Sequence, residues 1–421
     1  MIPLAYLPPP VGLFEVDLAD SPRPFTGYGG IRVVRVLIRH RGRPLGWITV
    51  EEPPDPIPHE RITREVSCQL GRPLEEAALL DSLAAPRERT DLPAISVVVC
   101  TRNRAASLRR CLESLRDLDY PTYEVIVVDN ASVTRETAEI TARFPFRSVR
   151  EERPGLDWAR NRGIAEARHE IVAFTDDDVQ VDRLWLRGVA EGFEEPDVML
   201  VTGFTAPAEL VTEAQVMFEF CYGGMSKGFR SNRWNPAELR PDQIIGAHRL
   251  GVGANMAFRR AVFEQVGTFD TSLDVGTPSH GGGDLDMFHR VLAGGQVARY
   301  NPSALVRHCH RRDLAALHRQ LRDNGRAFGV YLLSQSFPGD VRQTGIGKGN
   351  LLRYALRIWL GWLGGRVLRR LARKETMSLP LQASELLGVL QAPWAFIATR
   401  RSDCQIRRRA SAPIIQSRVA G

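Results

Sequence analysis

From residue 91 onward the sequence alternates between short apolar runs and helical patterns, and this alternation constrains the fold more than any other feature. Ile95-Ser-Val-Val-Val-Cys100 is nearly continuous in β-branched residues, as a strand buried on both faces requires. A helical spacing follows through Leu108, Cys111, Leu112 and Leu115, and then a second apolar run, Tyr123-Glu-Val-Ile-Val-Val128. The pattern continues with a helix over 135–143, a short strand over 147–150, a helix over 156–167, and a third apolar run ending at Phe174. Strands separated by helices cannot pair as hairpins, so they assemble into a parallel sheet covered on both faces. The fold class expected is α/β with a Rossmann-like, mostly parallel central sheet.

The third run, Ile171-Val-Ala-Phe-Thr175, leads directly into Asp176-Asp177-Asp178. Three carboxylates with no basic residue between them repel one another, so water must screen them or a cation must neutralise them. Carboxylate oxygens are hard ligands suited to Mg²⁺ or Mn²⁺, and in open α/β sheets ligands bind beyond the carboxyl ends of strands. On position alone a solvated acidic turn remains open. Two further acids occupy comparable places: Asp129 after the second strand, and Asp284 where Gly281-Gly-Gly-Asp-Leu-Asp286 opens a helix.

The 421 residues exceed one ordinary domain. Three parts are expected: an N-terminal β-containing module over 1–90, a catalytic domain over 91–325, and a helical, basic extension over 326–421 with a frayed tail. In the first, Ile31 to Arg39 and Leu45 to Glu51 flank the turn His40-Arg-Gly-Arg-Pro and predict a hairpin. Residues 204–245 lose the strand–helix rhythm and read as a long excursion over one face, before Gly251 to Phe258 returns to the sheet. With 43% hydrophobic and 25% charged residues the chain reads as a soluble globular protein. The first ten residues lack a basic stretch and are broken by prolines, unlike a signal peptide, and no apolar window reaches membrane-span length. Six scattered cysteines without a CxxC pair suggest neither a zinc site nor a disulfide framework, and point to reduced thiols in the cytosol.

Six segments together resemble an inverting family-2 glycosyltransferase of the GT-A type. They are Val97-Val-Val-Cys-Thr-Arg-Asn-Arg, Val127-Val-Asp-Asn-Ala-Ser, Gly155-Leu-Asp-Trp-Ala-Arg-Asn-Arg-Gly-Ile, Phe174-Thr-Asp-Asp-Asp, Gly253-Ala-Asn-Met-Ala-Phe-Arg-Arg and Gly283-Asp-Leu-Asp-Met. The resemblance covers roughly residues 93–325 and implies a nucleotide-diphospho-sugar transferase fold. It further implies that Thr101, Arg102, Asp129, Arg160, Asn161, Asp176 and Asp177 bind the nucleotide sugar, a UDP-, dTDP- or GDP-sugar. Asp176 and Asp178 form its DxD motif, holding Mg²⁺ or Mn²⁺ against the diphosphate leaving group. The family's base is an Asp, usually the second of an acidic pair. Here Gly283 stands where the first acid would be, so the resemblance assigns Asp284 as the base, with Asp286 as the alternative.

Beyond the base helix, Val306-Arg-His-Cys-His310 ends a short strand. The resemblance allows one of its histidines, His308, as a further metal ligand, with His308 and His310 expected on opposite faces. Arg residues concentrate in the C-terminal third and suggest an acidic partner, here nucleotide phosphates or an anionic membrane surface. Leu351 to Lys374 combines apolar, aromatic and basic positions, as an interfacial helix at the inner face of the cell membrane would, or one packed on the catalytic domain. The acceptor expected is a glycan or a lipid-linked one. A nucleotidyltransferase would place a Gly-rich phosphate loop after the first strand, where Cys100-Thr-Arg-Asn-Arg-Ala-Ala-Ser has none. A glycoside hydrolase would leave the DxD strand end without purpose. A catalytically weakened nucleotide-sugar-binding scaffold is the non-enzymatic alternative, favoured only by Gly283. Nucleic-acid binding is not expected, because the Arg clusters lack interleaved aromatics.

Overall fold

A computed structural model describes residues 7–83 apart from 21–25 and 28, residues 91–336, six positions between 353 and 364, and residues 378–410. The central sheet has nine strands. Its parallel half is β4 (Ile95–Thr101), β5 (Tyr123–Asn130), β6 (Arg147–Glu151) and β7 (Ile171–Asp176), with α2 (Ala105–Arg116), α3 (Glu136–Thr141) and α4 (Leu156–Glu166) as crossovers. β4 and β5 are buried along nearly their whole length, which is why they carry Val and Ile at successive positions. The sheet continues through β8 (Val179–Val181), α5 (Trp185–Gly192) and β9 (Val198–Pro207), then β10 (Asn232–Trp234), β11 (Asn255–Arg259) and β12 (Val297–His308). Its order is β10-β12-β9-β11-β7-β4-β5-β6, with β8 beside β12. β11 runs antiparallel between β7 and β9, and β8 and β10 run antiparallel to β12. The sheet is therefore mostly parallel, as expected, with antiparallel insertions that the alternation did not predict.

One other expectation is corrected here. Phe204 to Pro207 is buried strand rather than the start of an excursion. The irregular stretch begins after Pro207, holding α6 (Glu213–Val216), a π-helical turn over Met217–Tyr222, edge strand β10 and α7 (Pro241–Ile245). After β11 come α8 (Ala261–Val266) and α9 (Gly283–Ala293), which carries Asp284 in its first turn. α10 (Leu314–Ser336) runs without a break across residue 325, so a division there would fall inside a helix.

The N-terminal module is a three-stranded sheet, β1 (Val11–Asp17), β2 (Val33–His40) and β3 (Arg43–Glu51), packed on α1 (His59–Leu83). β2 and β3 form the expected hairpin, while β1 joins β2 in parallel. A buried ion-pair cluster fixes the module to the main sheet. Arg39 donates to Asp182 at 2.6 and 2.9 Å, and Arg307 donates to Asp182 at 2.8 Å and to Glu15. Burial alone would raise the Asp182 carboxyl, but the two guanidinium groups hold it down at about 2.

α10 crosses α11 (Leu379–Ala410) closely, because Gly325 and Gly388 leave no side chain between the backbones. Of the 351–374 stretch only Arg353, Leu356, Arg357, Leu360, Gly361 and Gly364 are described, and the rest of that expected interfacial helix lies outside the described residues. Among the described residues no helix is long and apolar enough to cross a membrane, and the five cysteines described are free thiols.

Candidate active site

Beyond the carboxyl ends of β4 and β7 opens a cavity of about 1380 Å³. Thr101, Arg102, Asn130, Arg160, Asp176, Asp177 and Asp178 line it from the parallel half of the sheet, and His308 from the end of β12. Asp284 lines it from the first turn of α9, while Tyr222, Lys227, His248, Arg319 and Phe328 contribute from the irregular stretch and α10. The acids read from strand ends and the helix start thus share one chamber, apart from Asp129.

The three consecutive aspartates have three different environments. Asp177 accepts from the Thr101 hydroxyl (2.7 Å) and from Arg104 (2.6 Å), yet burial raises it to about 6. Asp178 accepts from the other nitrogen of Arg104 (2.7 Å), and Arg311 lies 3.6 Å away. Burial opposes its ionisation, but His308, Arg104 and Arg311 together hold it below the usual carboxylate range. The Asp176 carboxylate accepts no hydrogen bond among the described residues, and burial first, then Asp178, raises it to about 7. The His308 Nε2 atom is 3.4 Å from Asp178 Oδ1, and burial lowers that imidazole to about 4.

As the side chains stand, no three His, Cys, Asp or Glu groups among the described residues enclose a metal position. The donor chemistry nonetheless fits a hard divalent cation. A half-buried carboxylate without a donor among the described residues, a second carboxylate and an imidazole nitrogen face the same chamber.

Asp284 is held by two backbone donors, Gly253 N–H to Oδ2 (2.8 Å) and Leu285 N–H to Oδ1 (2.9 Å). Burial first, and then Asp274, raise its pKa, against the pull of Arg160. Lys227 lies close enough for Asp284 to oppose the lowering that burial imposes on its ammonium. The alternative, Asp286, is turned away: it accepts from Arg290 (2.7 Å) and Gln335 (2.9 Å) and lines no part of the cavity. Two residues along a helix turn the side chain by roughly 200°, so both acids could not face one chamber.

Asn161 and Asp129 also sit away from the chamber. Asn161 makes a reciprocal pair of bonds, both 2.9 Å, with the backbone of Phe269. Asp129 accepts from Arg150 (2.8 Å) and from Ser132 N–H (3.2 Å), and the adjacent Asn130 takes the cavity wall. Arg160 does reach the cavity, but its guanidinium is committed to Asp157 (2.9 Å) and Asp274 (2.5 Å).

Asp157 went unrecognised in the sequence, and it explains Gly283. A Cβ at position 283 would stand 2.7 Å from both Cγ and Oδ1 of Asp157 and closer still to Oδ2. The space beside Asp284 is already filled by a carboxylate from α4, so the glycine is required by packing. Asp157 is fully buried, its Oδ2 accepts no hydrogen bond among the described residues, and burial raises its pKa well above the usual range.

The two histidines are a further correction. They do not point to opposite faces: their Nδ1 atoms are 3.0 Å apart. Residues two apart along a strand share a face, so the alternation of β12 itself carries His310 to the side of His308, and just past the strand end Cys309 N–H still donates to the Asp178 carbonyl (2.9 Å).

Residues 96–267 match the sequence profile described as Glycosyl transferase family 2. The pre-mycofactocin glycosyltransferase of Mycobacterium tuberculosis is 30% identical over 260 residues, covering 60% of this chain and 50% of that protein. Glycosyltransferase AglE of Haloferax volcanii is 26% identical over 255 residues, covering 58% of this chain and 76% of that one. The chain thus spans half the length of the mycobacterial relative. A solved mannosyltransferase of Pyrobaculum calidifontis, in complex with GDP-Man and Mn²⁺, is 18% identical with a TM-score of 0.46, covering 81% of this chain and 97% of that one.

Proposed function

We propose, from the match of residues 96–267 to the glycosyl transferase family 2 profile, that the chain transfers a sugar from a nucleotide-diphosphate donor to an acceptor hydroxyl, inverting the anomeric carbon. The observation that carries the reading is the meeting of Asp284 with the Asp176–Asp178 strand end in one cavity of about 1380 Å³. A single small-molecule pocket is ordinarily about 300–1,000 Å³, so this chamber has room for donor and acceptor together.

The donor's nucleotide lies against Thr101, Arg102 and Asn130, with Asp129 behind them. Asp176, Asp178 and His308 are the residues that would hold Mg²⁺ or Mn²⁺. Such an ion, when bound, offsets the negative charge that builds on the diphosphate as the sugar departs. Arg104 and Arg311 add fixed positive charge on the same wall, and a guanidinium suits diphosphate oxygens. Asp284 takes the acceptor proton. Burial raises the basicity of its carboxylate, while the N–H groups of Gly253 and Leu285 aim it and Arg160 favours its ionised form. Tyr222, Lys227, His248, Arg319 and Phe328 shape the acceptor end, a combination of rings and cations that suits a glycan bearing an anionic group, free or lipid-linked. Thermal shift with UDP, GDP and dTDP, each with and without Mn²⁺, tests the donor half. Stabilisation by one nucleotide only when Mn²⁺ is present is expected, and no stabilisation by any of them would contradict the reading.

We further propose that the protein works on an anionic membrane surface. The face of α11 away from α10 exposes Leu387 (45%), Leu390 (61%), Trp394 (76%) and Ile397 (43%), one continuous stripe at helical spacing. Residues 351–421 carry thirteen Arg and Lys against three Asp and Glu, more than the whole net charge of +7. An apolar stripe with an indole, flanked by cations, suits the interface of an anionic bilayer. Co-sedimentation with phosphatidylglycerol vesicles, weakened by salt and by the pair Leu390→Gln and Trp394→Gln, is expected. Equal binding to phosphatidylcholine vesicles would overturn the requirement for an anionic surface, and self-association that the same pair abolishes would replace the membrane with a second copy of the chain.

A further inference from the structure

Behind the cation subsite the structure holds a row of polar groups that the mechanism above does not use. Asp178 Oδ1 is 3.4 Å from His308 Nε2, His308 Nδ1 is 3.0 Å from His310 Nδ1, and His310 Nε2 is 3.1 Å from Glu219 Oε2. The row is buried, with side-chain exposures of 7% for His308, 1% for His310 and 13% for Glu219. Only Asp178 and His308 reach the cavity. His310 is fixed from several sides. Its carbonyl accepts from Gln215 (3.3 Å), and its ring meets Phe218 edge-on at 4.7 Å. Glu219 and Phe218 both sit on the π-helical turn Met217–Tyr222, an irregularity that commonly marks functional sites.

The chemistry of the row sets the direction of every bond in it. A carboxylate only accepts, so Glu219 requires a proton on His310 Nε2. A neutral His310 then has a bare Nδ1, which must accept from His308. His308 therefore carries its proton on Nδ1 and leaves Nε2 bare, beside a carboxylate oxygen that also only accepts. Two facing acceptors repel unless a cation lies within reach of both.

We infer that Glu219 and His310 are positioning residues that fix His308 as its Nδ1–H tautomer and so present a bare Nε2 to a divalent cation beside Asp178. The inference rests on the metal reading of the strand end. A ligating histidine is commonly held in its tautomer by a partner on its other nitrogen. The row here differs in using a second imidazole as that partner, with a carboxylate behind it. Arg35, which feels the Glu219 charge and packs over Trp47 and Phe220, links this support to the N-terminal module.

The test uses the full chain labelled with ¹⁵N-histidine, free of metal, at pH 8. Nine histidines are few enough to assign by single His→Ala variants. Long-range ¹H–¹⁵N correlation spectra should show His308 protonated on Nδ1 and His310 on Nε2, and a proton on His308 Nε2 would overturn the inference without any substitution at Glu219. Glu219→Gln keeps the shape but brings an N–H donor toward His310, allowing both tautomers to reverse. Mn²⁺ affinity, read by EPR of the free ion, should then fall about 10- to 100-fold. Thermal stability and metal-free nucleotide binding should stay as in the native protein. Reversed tautomers with native Mn²⁺ affinity would overturn the positioning role. Native tautomers as assigned, but no Mn²⁺ bound by the unaltered protein, would instead sink the metal reading and leave the hydrogen-bond direction standing.

Discussion

Gly283→Ala should be far more damaging than a glycine-to-alanine change on a helix suggests. Within a helix that substitution ordinarily stabilises by about 0.5–1 kcal/mol, and Gly283 is the first residue of α9. Here the new methyl would meet the whole Asp157 carboxylate, with Cγ and Oδ1 both at 2.7 Å. Asp157 has no exposed surface and is tied to Arg160 at 2.9 Å, so it cannot swing into water. Overpacking of this kind costs roughly 1–3 kcal/mol. If the carboxylate is pushed off Arg160, the cost approaches the roughly 3–5 kcal/mol of a broken buried ion pair. A net loss of about 2–4 kcal/mol is expected, which for a domain of this size lowers Tm by roughly 4–16 °C. Differential scanning calorimetry measures it directly. Asp157→Ala combined with Gly283→Asp should recover most of the loss by placing the carboxylate on the other backbone. A Gly283→Ala protein as stable as the native one would refute the packing argument, and a double variant no better than Gly283→Ala would refute the exchange.

Three further outcomes follow from the site. Asp178→Asn should leave the fold intact while removing most turnover and most Mn²⁺-dependent nucleotide binding; near-normal turnover in EDTA would refute the metal role. Asp284→Asn should lower the rate roughly 10²- to 10⁴-fold with nucleotide binding nearly unchanged. Because burial raises the Asp284 pKa and the base works ionised, the rate should rise with pH along a limb lying above the ordinary Asp value of about 3.9, and an Asp286→Asn loss exceeding that of Asp284→Asn would reassign the base. In the metal-free protein burial and Asp178 push the Asp176 carboxyl up to about 7, and an ion binds only its ionised form. Mn²⁺ affinity should therefore rise between pH 5.5 and 8 and level off above, and isothermal titration at several pH values would expose a flat profile.

The parallel core was readable because β4, β5 and β7 are buried along nearly their whole length and so carry uninterrupted apolar runs. The acids at the end of β7 and the start of α9 were readable because element ends in such a sheet point toward one edge. What escaped depends on contacts distant in sequence. β11 runs antiparallel, although nothing in Asn255–Arg259 states its direction. Asp157 fills the space over Gly283 from a helix 126 positions earlier, signalled only by the missing acid. His310 joins His308 because residues two apart on a strand share a face, so the expectation of opposite faces misapplied the period. Asn161 and Asp286 matched motif positions, but their bonds to Phe269, Arg290 and Gln335 secure the scaffold around the cavity. α10 supplies part of the acceptor wall through Arg319 and Phe328, where the pattern announced only a helix.

The central claim is that one cavity joins a cation-dependent donor site to the Asp284 base. Release of nucleoside diphosphate from a panel of UDP-, GDP- and dTDP-sugars, with a mixture of glycan acceptors, tests it most directly. The native protein should release product from one donor only with Mg²⁺ or Mn²⁺ present, and Asp284→Asn should bind that donor equally well yet release little. Release unaffected by EDTA, or undiminished in Asp284→Asn, would contradict the account.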